Sequence, residues 1–166
     1  SSKISKGVRN RPSYLSELSL IEDNHPANQP LISWGFHHYF HGRLTRYHLD
    51  QISSTRPIII IHRSFHEFIL NTPAMELLGI TKNAFIDLDV DAHLANFDDG
   101  HFSERGAIIV LPNLMKVLAE PRELIKGLQK TKNYLHKNGI TVIGNPGSMY
   151  SKDLQLAKNI TFGNID

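Results

Sequence analysis

The 166 residues contain no cysteine. A disulfide framework and a thiolate metal site are both excluded. The absence fits a reducing compartment better than an oxidising one, so a cytoplasmic location is expected over a secreted one. The opening residues, Ser1-Ser2-Lys3-Ile4-Ser5-Lys6, lack the apolar core of a signal peptide. Long apolar runs are missing as well. Runs such as Ile58 to Ile61 fall far short of the roughly 20 residues a spanning helix needs, so no membrane partner is expected. Blocks of like charge are also absent. The 18 Lys and Arg interleave with 16 Asp and Glu, giving a net charge of +2. Without a polybasic arm, nucleic acid is not an expected partner. Gly144-x-x-Gly147 lacks the Gly-Lys-Ser/Thr ending of a phosphate loop, and no Gly-x-Ser-x-Gly elbow occurs. What the sequence has in excess is histidine, with ten residues.

The order of local signals points to an α+β domain with a small mixed sheet. A short helix is expected over Pro12 to Ile21, followed by a loop from Asn24 to Pro30. Leu31 to Phe36 reads as a strand, Gly42 as a turn, and Thr45 as the cap of a short helix through Ile52. Pro57 to His62 is β-branched and continuously apolar, as expected of a strand covered on both faces. Thr72 to Gly79 reads as a compact helix, with Thr72 as cap, Pro73 at its start and Gly79 as its left-handed stop. Asp87 to Asp99 is acidic and irregular. Ala107 to Leu111 is assigned to a third strand, although its periodicity also allows the start of a helix. An amphipathic helix follows from Glu120 to Asn138, stopped by Gly139. Ile140 to Ile143 then reads as a strand leading into the loop Gly144 to Gly147, with a further helix at Lys152 to Lys158. The expected divisions are a polar, helical segment at 1–30, the α+β domain at 31–118, and a helix–strand unit at 119–166.

Arg56-Pro57, four isoleucines, His66, Asn71, Ala74 and Gly79-Ile80 together carry the most specific pattern. It resembles the insert region of the amidohydrolases, in the branch of metal-dependent hydrolases that includes the N-substituted formamide deformylases. There the order is Arg-Pro, an apolar strand, Asp-Gly-His, Asn-Ser-x-Ala-Leu and a helix ending in Gly-Ile. Here Ser64-Phe65 stands in place of Asp-Gly, and Met75 in place of Leu. Trp34-Gly35-Phe36, Gly42-Arg43-Leu44-Thr45 and Leu49-Asp50 resemble landmarks upstream; Asp99-Gly100 to Glu104 and Asn138 to Val142 resemble landmarks downstream. The resemblance covers roughly residues 30 to 148.

That resemblance implies a distorted β/α barrel in which a metal-activated water attacks a carbon–nitrogen bond. It implies that this chain is an internal fragment, an insert domain plus one truncated α/β unit of a TIM-like barrel. The first-strand His-x-His pair and the later ligands of the parent would lie outside it. No catalytic residue and no metal ligand is therefore assigned within the chain, and the isolated chain is expected to be inactive. The parent's cofactor is expected to be a divalent metal, zinc by preference, and its partner a small-molecule amide.

Four residues are candidates for the substrate side: Trp34, His66, Asn71 and Glu104. His66 reads either as a substrate contact beyond a buried strand or as a turn residue bonding backbone carbonyls. Asn71 reads as an orienting group or a helix cap, and Glu104 as a pocket carboxylate or a solvated one. His37, His38 and His41, with His62 and His66, raise a metal hypothesis. No carboxylate sits at a telling spacing, so an aromatic, histidine-rich wall of a pocket or interface is the preferred reading. Trp34, Phe36, Tyr39 and Phe40 would serve such a wall, and a homodimer is a further expectation. The alternative to the enzyme is thus a binding or oligomerisation module.

Overall fold

A computed structural model describes residues 10–86, 90–118 and 121–142. Contacts divide the chain into two units, residues 1–115 and 116–166. The first contains α1 (Arg11–Asp23), β1 (Leu31–Phe36), α2 (His38–His41), α3 (Arg46–Ile52), β2 (Ile58–His62), β3 (Glu67–Leu70), α4 (Thr72–Leu77), α5 (Lys82–Ile86), β4 (Ala95–Asn96), β5 (His101–Ser103) and most of α6 (Arg105–Leu118). The second contains α7 (Pro121–Lys137).

One mixed sheet runs in the order β1-β2-β3-β5-β4. β1 and β2 are parallel, and every other neighbouring pair is antiparallel. β2 lies inside the sheet and all five of its residues are buried. Side chains alternate between the faces of a strand. Ile58 and Ile60 therefore join one core with Tyr14 and Leu18 of α1, Leu31, Phe36, Leu44 and Leu49. Ile59 and Ile61 join the other, with Ala74 and Met75 of α4 and Ala107, Val110 and Leu114 of α6. Each of these isoleucines is worth about 2 kcal/mol of burial, so covering both faces dominates the local energetics.

Polar ties hold the helices to this sheet. The Arg56 guanidinium donates to Glu22 at 2.8 Å and to the carbonyls of Pro26, Gln29 and His25, which fixes the loop before β1. The hydrogen bond from Arg56 holds the Glu22 carboxyl below its usual range, despite the partial burial that would raise it. Asp50 of α3 accepts from both the backbone N–H and the hydroxyl of Thr72 at 2.8 Å.

Three expectations need correction. Ala107 to Leu111 is helical, not a strand. Ala107, Val110 and Leu114 recur at the three-and-four spacing of a helix and face the core, while Ile108 points outward. The cap of α4 is Asn71 rather than Thr72. The Asn71 carboxamide oxygen accepts from Ala74 N–H at 3.0 Å, so Thr72 occupies the first helical position. Ile140 to Val142 form no strand. Ile143, the Gly144 to Gly147 loop and the helix at Lys152 to Lys158 lie outside the described residues. The two glycine stops hold. Gly79 and Gly139 have φ of 62° and 74°, and Ile80 and Ile140 donate back to Met75 and Leu135 in paired Schellman motifs.

Asn71 does more than cap. It is fully buried, and its oxygen also accepts from Ile58 N–H at 2.8 Å. Its amide group donates to the carbonyls of Ser53 and Arg56 at 3.0 and 2.8 Å. One side chain thereby joins the end of α3, the start of β2 and the start of α4. Asn71→Ala would leave two N–H groups and two carbonyls to find new partners, and is expected to destabilise the fold by about 3 kcal/mol. Urea unfolding, read as a lowered midpoint at unchanged slope, checks this.

Candidate metal centre

Strand parity assembles a polar cluster at one end of the sheet. His62 closes β2 on the same face as Ile58 and Ile60. The hairpin to β3 pairs Ile61 with Phe68 and Ile60 with Ile69, which sets Glu67 beside His62 on that face. His101 opens β5 opposite Ile69, two residues from the Ser103 that pairs with Glu67. His101 is thus the diagonal neighbour of Glu67 on the shared face. The fourth contribution comes from β1. Its register shifts between Trp34 and Phe36, with Gly35 at φ 101°, so Phe36 falls opposite His62. The chain then turns into α2, capped by the His37 ring, whose Nδ1 accepts from Tyr39 N–H at 3.1 Å. That turn delivers His38 to the cluster.

The centre of the cluster is Glu67 Oε2. It lies 2.8 Å from His38 Nε2 and 2.9 Å from His101 Nε2. Glu67 Oε1 lies 3.8 Å from His62 Nδ1. One ligating atom from each of His38, Glu67 and His101 falls within 4.8 Å of the other two. The His62 ring stacks on His38 at 5.8 Å and approaches His37 at 5.0 Å. Side-chain exposures of 37% for His38, 22% for Glu67 and 28% for His101 leave the cluster reachable from water.

Burial alone would raise the Glu67 pKa. Hydrogen bonds from His38 and His101, with the charges of His38 and His62, outweigh it and hold the carboxyl below its ordinary 4.5. His62 moves down from 6.5, chiefly through burial, with His37, His38 and Arg63 adding to the effect and Glu67 opposing it. Ser64 N–H donates to His62 Nδ1 at 3.2 Å, which places the proton of the neutral ring on Nε2. An ionised carboxylate held by two imidazoles is both a proton-exchange relay and a mixed nitrogen–oxygen donor set for a divalent cation.

The residues singled out from sequence fall elsewhere. Trp34 projects from β1, partly exposed, and stacks on Phe65 at 5.7 Å. His66 and Glu104 are exposed and face each other at 3.2 Å. Asn71 is buried, with both ends of its carboxamide engaged by the chain. Of the histidines considered together, His37, His38 and His62 do meet. His41 is buried among Tyr14 and Phe36, and its Nδ1 accepts from His37 N–H at 3.0 Å. Glu67 and His101 are what sequence reasoning missed. A hairpin read from His62, a four-residue turn and Glu67-Phe68-Ile69-Leu70 would have found the carboxylate.

No family model and no curated protein matches the chain. Its fold is found within larger metal-dependent hydrolases. An uncharacterized metal-dependent hydrolase from Pyrococcus horikoshii OT3 matches with a TM-score of 0.62 at 16% identity, over 90% of this chain and 28% of that one. A second, from Pyrococcus furiosus, matches with a TM-score of 0.55 at 18% identity, over 81% of this chain and 25% of that one. The chain therefore spans about a quarter of the length of these structures, and at such identities the likeness is one of fold.

The two shifted groups of this cluster predict how acid acts on the fold. The unfolded chain protonates His62 more readily than the folded one, so stability falls as pH drops through 6.5 toward the depressed folded value. The contribution of ionised Glu67 is full above 4.5 and is lost as pH falls through its lower folded value. Urea midpoints should therefore decline on acidification in two stages. His62→Gln should shrink the upper stage, to which His48 also contributes, and Glu67→Gln the lower, to which Glu22 also contributes.

Proposed function

We propose that this chain is a segment of a larger metal-dependent hydrolase that cleaves a carbon–nitrogen bond in a non-peptide amide, and that it shapes the surface over which substrate enters. The observation that carries this reading is the fold likeness, which takes in nine-tenths of the chain and only about a quarter of a metal-dependent hydrolase. The amide class rests on the resemblance of Arg56 to Ile80 to the amidohydrolase insert. The parent's ion, zinc by preference, is held by ligands outside this segment and supplies the activated water. The segment contributes binding and orientation.

The substrate-facing groups in this reading surround the turn at residues 63–66. Phe65 adopts φ 63°, the left-handed conformation that a glycine takes without strain, and it stands where the resembling proteins have glycine. Its ring stacks on Trp34, giving an exposed aromatic pair. The His66–Glu104 pair lies at the end of the same turn, where Glu104 N–H donates to the His66 carbonyl at 2.9 Å. An aromatic platform beside a paired imidazole suits a flat amide with a hydrogen-bonding carbonyl. Asn71 acts at one remove, by fixing the helix that follows β3.

Exposed Tyr39 and Phe40, with Trp34 and Phe65, favour a second reading as a binding or dimerisation module. One experiment separates the two. The full-length product of the reading frame that encodes this segment should hydrolyse members of an N-substituted and cyclic amide panel. A chelator should abolish the activity, and zinc should restore it. His66→Ala should raise KM about tenfold, the loss of one hydrogen bond, with kcat little changed. A metal-loaded, folded protein that cleaves no amide in the panel overturns the hydrolase reading, and a dimer with that outcome favours the module.

A further inference from the structure

We propose that His38, Glu67 and His101 form a binding site for one divalent transition-metal ion, best matched by zinc and carried by this chain itself. The inference goes beyond the hydrolase reading and does not depend on it. It rests on convergence. Three side chains from α2, β3 and β5 bring one ligating atom each to within 4.8 Å of the other two, and sheet register fixes two of them. Both imidazole Nε2 atoms meet the same carboxylate oxygen, at 2.8 and 2.9 Å.

Tetrahedral zinc with nitrogen and oxygen ligands at about 2.0–2.1 Å has ligand–ligand edges of about 3.3 Å. The two edges through Glu67 Oε2 therefore need to open by only about half an ångström. Side chains a quarter to a third exposed reach that by small rotations. An ionised carboxylate can only accept, so both Nε2 atoms carry their protons when they point at Glu67. A bound cation takes the place of those two protons: a neutral ring binds it through Nε2 with its proton moved to Nδ1, and a ring protonated on both nitrogens releases one proton to solvent.

The surroundings are those of a ligand set rather than of a surface ion pair. The His62 Nδ1 is occupied by Ser64, so His62 acts as a positioning residue, and its ring packs flat against His38. Three protein ligands leave a fourth position open on the solvent side. Two imidazoles and one carboxylate suit zinc and its first-row neighbours. Calcium and magnesium need six or more oxygens, and thiolate-seeking ions find no cysteine.

The test uses the 166-residue chain freed of metal by chelation. Calorimetric titration with Zn2+ should show one site, and Mg2+ and Ca2+ should show none. Co2+ should give the visible absorption of a four-coordinate ion. Glu67→Gln, which keeps the shape of the side chain, and His101→Ala should each weaken Zn2+ binding by about 100-fold. His93→Ala, an exposed histidine on a loop, should leave it unchanged. Circular dichroism identifies which variants keep the native spectrum, and His101→Ala removes only a part-exposed ring should Glu67→Gln fail to fold. The proposal is overturned if the chain takes up no stoichiometric Zn2+. It is equally overturned if a folded ligand variant binds as tightly as the parent chain, because the ion then sits on other histidines.

Discussion

A strand of four isoleucines followed by a histidine cannot face water on either side, and most of the architecture answers that demand. β2 accepts α1 and α3 over Ile58 and Ile60, and α4 and α6 over Ile59 and Ile61. Because side chains alternate, this double covering also fixes where the strand's last residue points. His62 shares its face with Ile58 and Ile60, so it lies at the margin of the core that contains Tyr14 and Phe36. The polar cluster is the continuation of that apolar face past the end of the packed layer. Burial there is incomplete, which is why Glu67 stays ionised while still losing enough water for its hydrogen bonds to His38 and His101 to matter.

Two local distortions adapt this frame. At Gly35 the bulge in β1 moves Phe36 onto the face that strict alternation would deny it, and the next turn brings His37 and His38 to the cluster. At the hairpin between β2 and β3, Phe65 is held at a positive φ, and across from it Glu104 has φ 48°. Such conformations cost about 1–2 kcal/mol in residues with a side chain. They persist here beside backbone hydrogen bonds from Phe65 to His62 and from Glu104 to His66, and the Trp34–Phe65 stack. Strain of this kind gathers where a surface is shaped rather than merely closed.

Much of the fold was legible because it is written locally. The proline near the start of α1, the β-branched run of β2, the glycines after α4 and α7, and the six residues of β1 are signals that act within a few positions. One error came where a short apolar run fits two periods. Ala107 to Leu111 satisfies strand and helix alike until Leu114 is seen to share a buried face with Ala107 and Val110. The short strands β3, β4 and β5 carry too few residues for any period to show. The site was less legible than the fold. Asn71 and His66 stand out by motif, yet one ties three elements together in the interior and the other pairs with Glu104 in solvent.

By itself the sequence determined the elements that local chemistry dictates. It also determined the exclusion of thiolate chemistry, the weight of histidine near Trp34, and the doubly buried strand that orders the rest. Only the tertiary structure decided which of those histidines meet. His38, Glu67 and His101 are separated by 29 and 34 positions. Glu67 and His101 share a face because of the registers of β2 with β3 and of β3 with β5, and a one-residue slip in either pairing would turn a ligating side chain to the opposite side. His38 reaches them through the turn that follows the β1 bulge. Register is a property of paired strands, so no single stretch of the chain contains it.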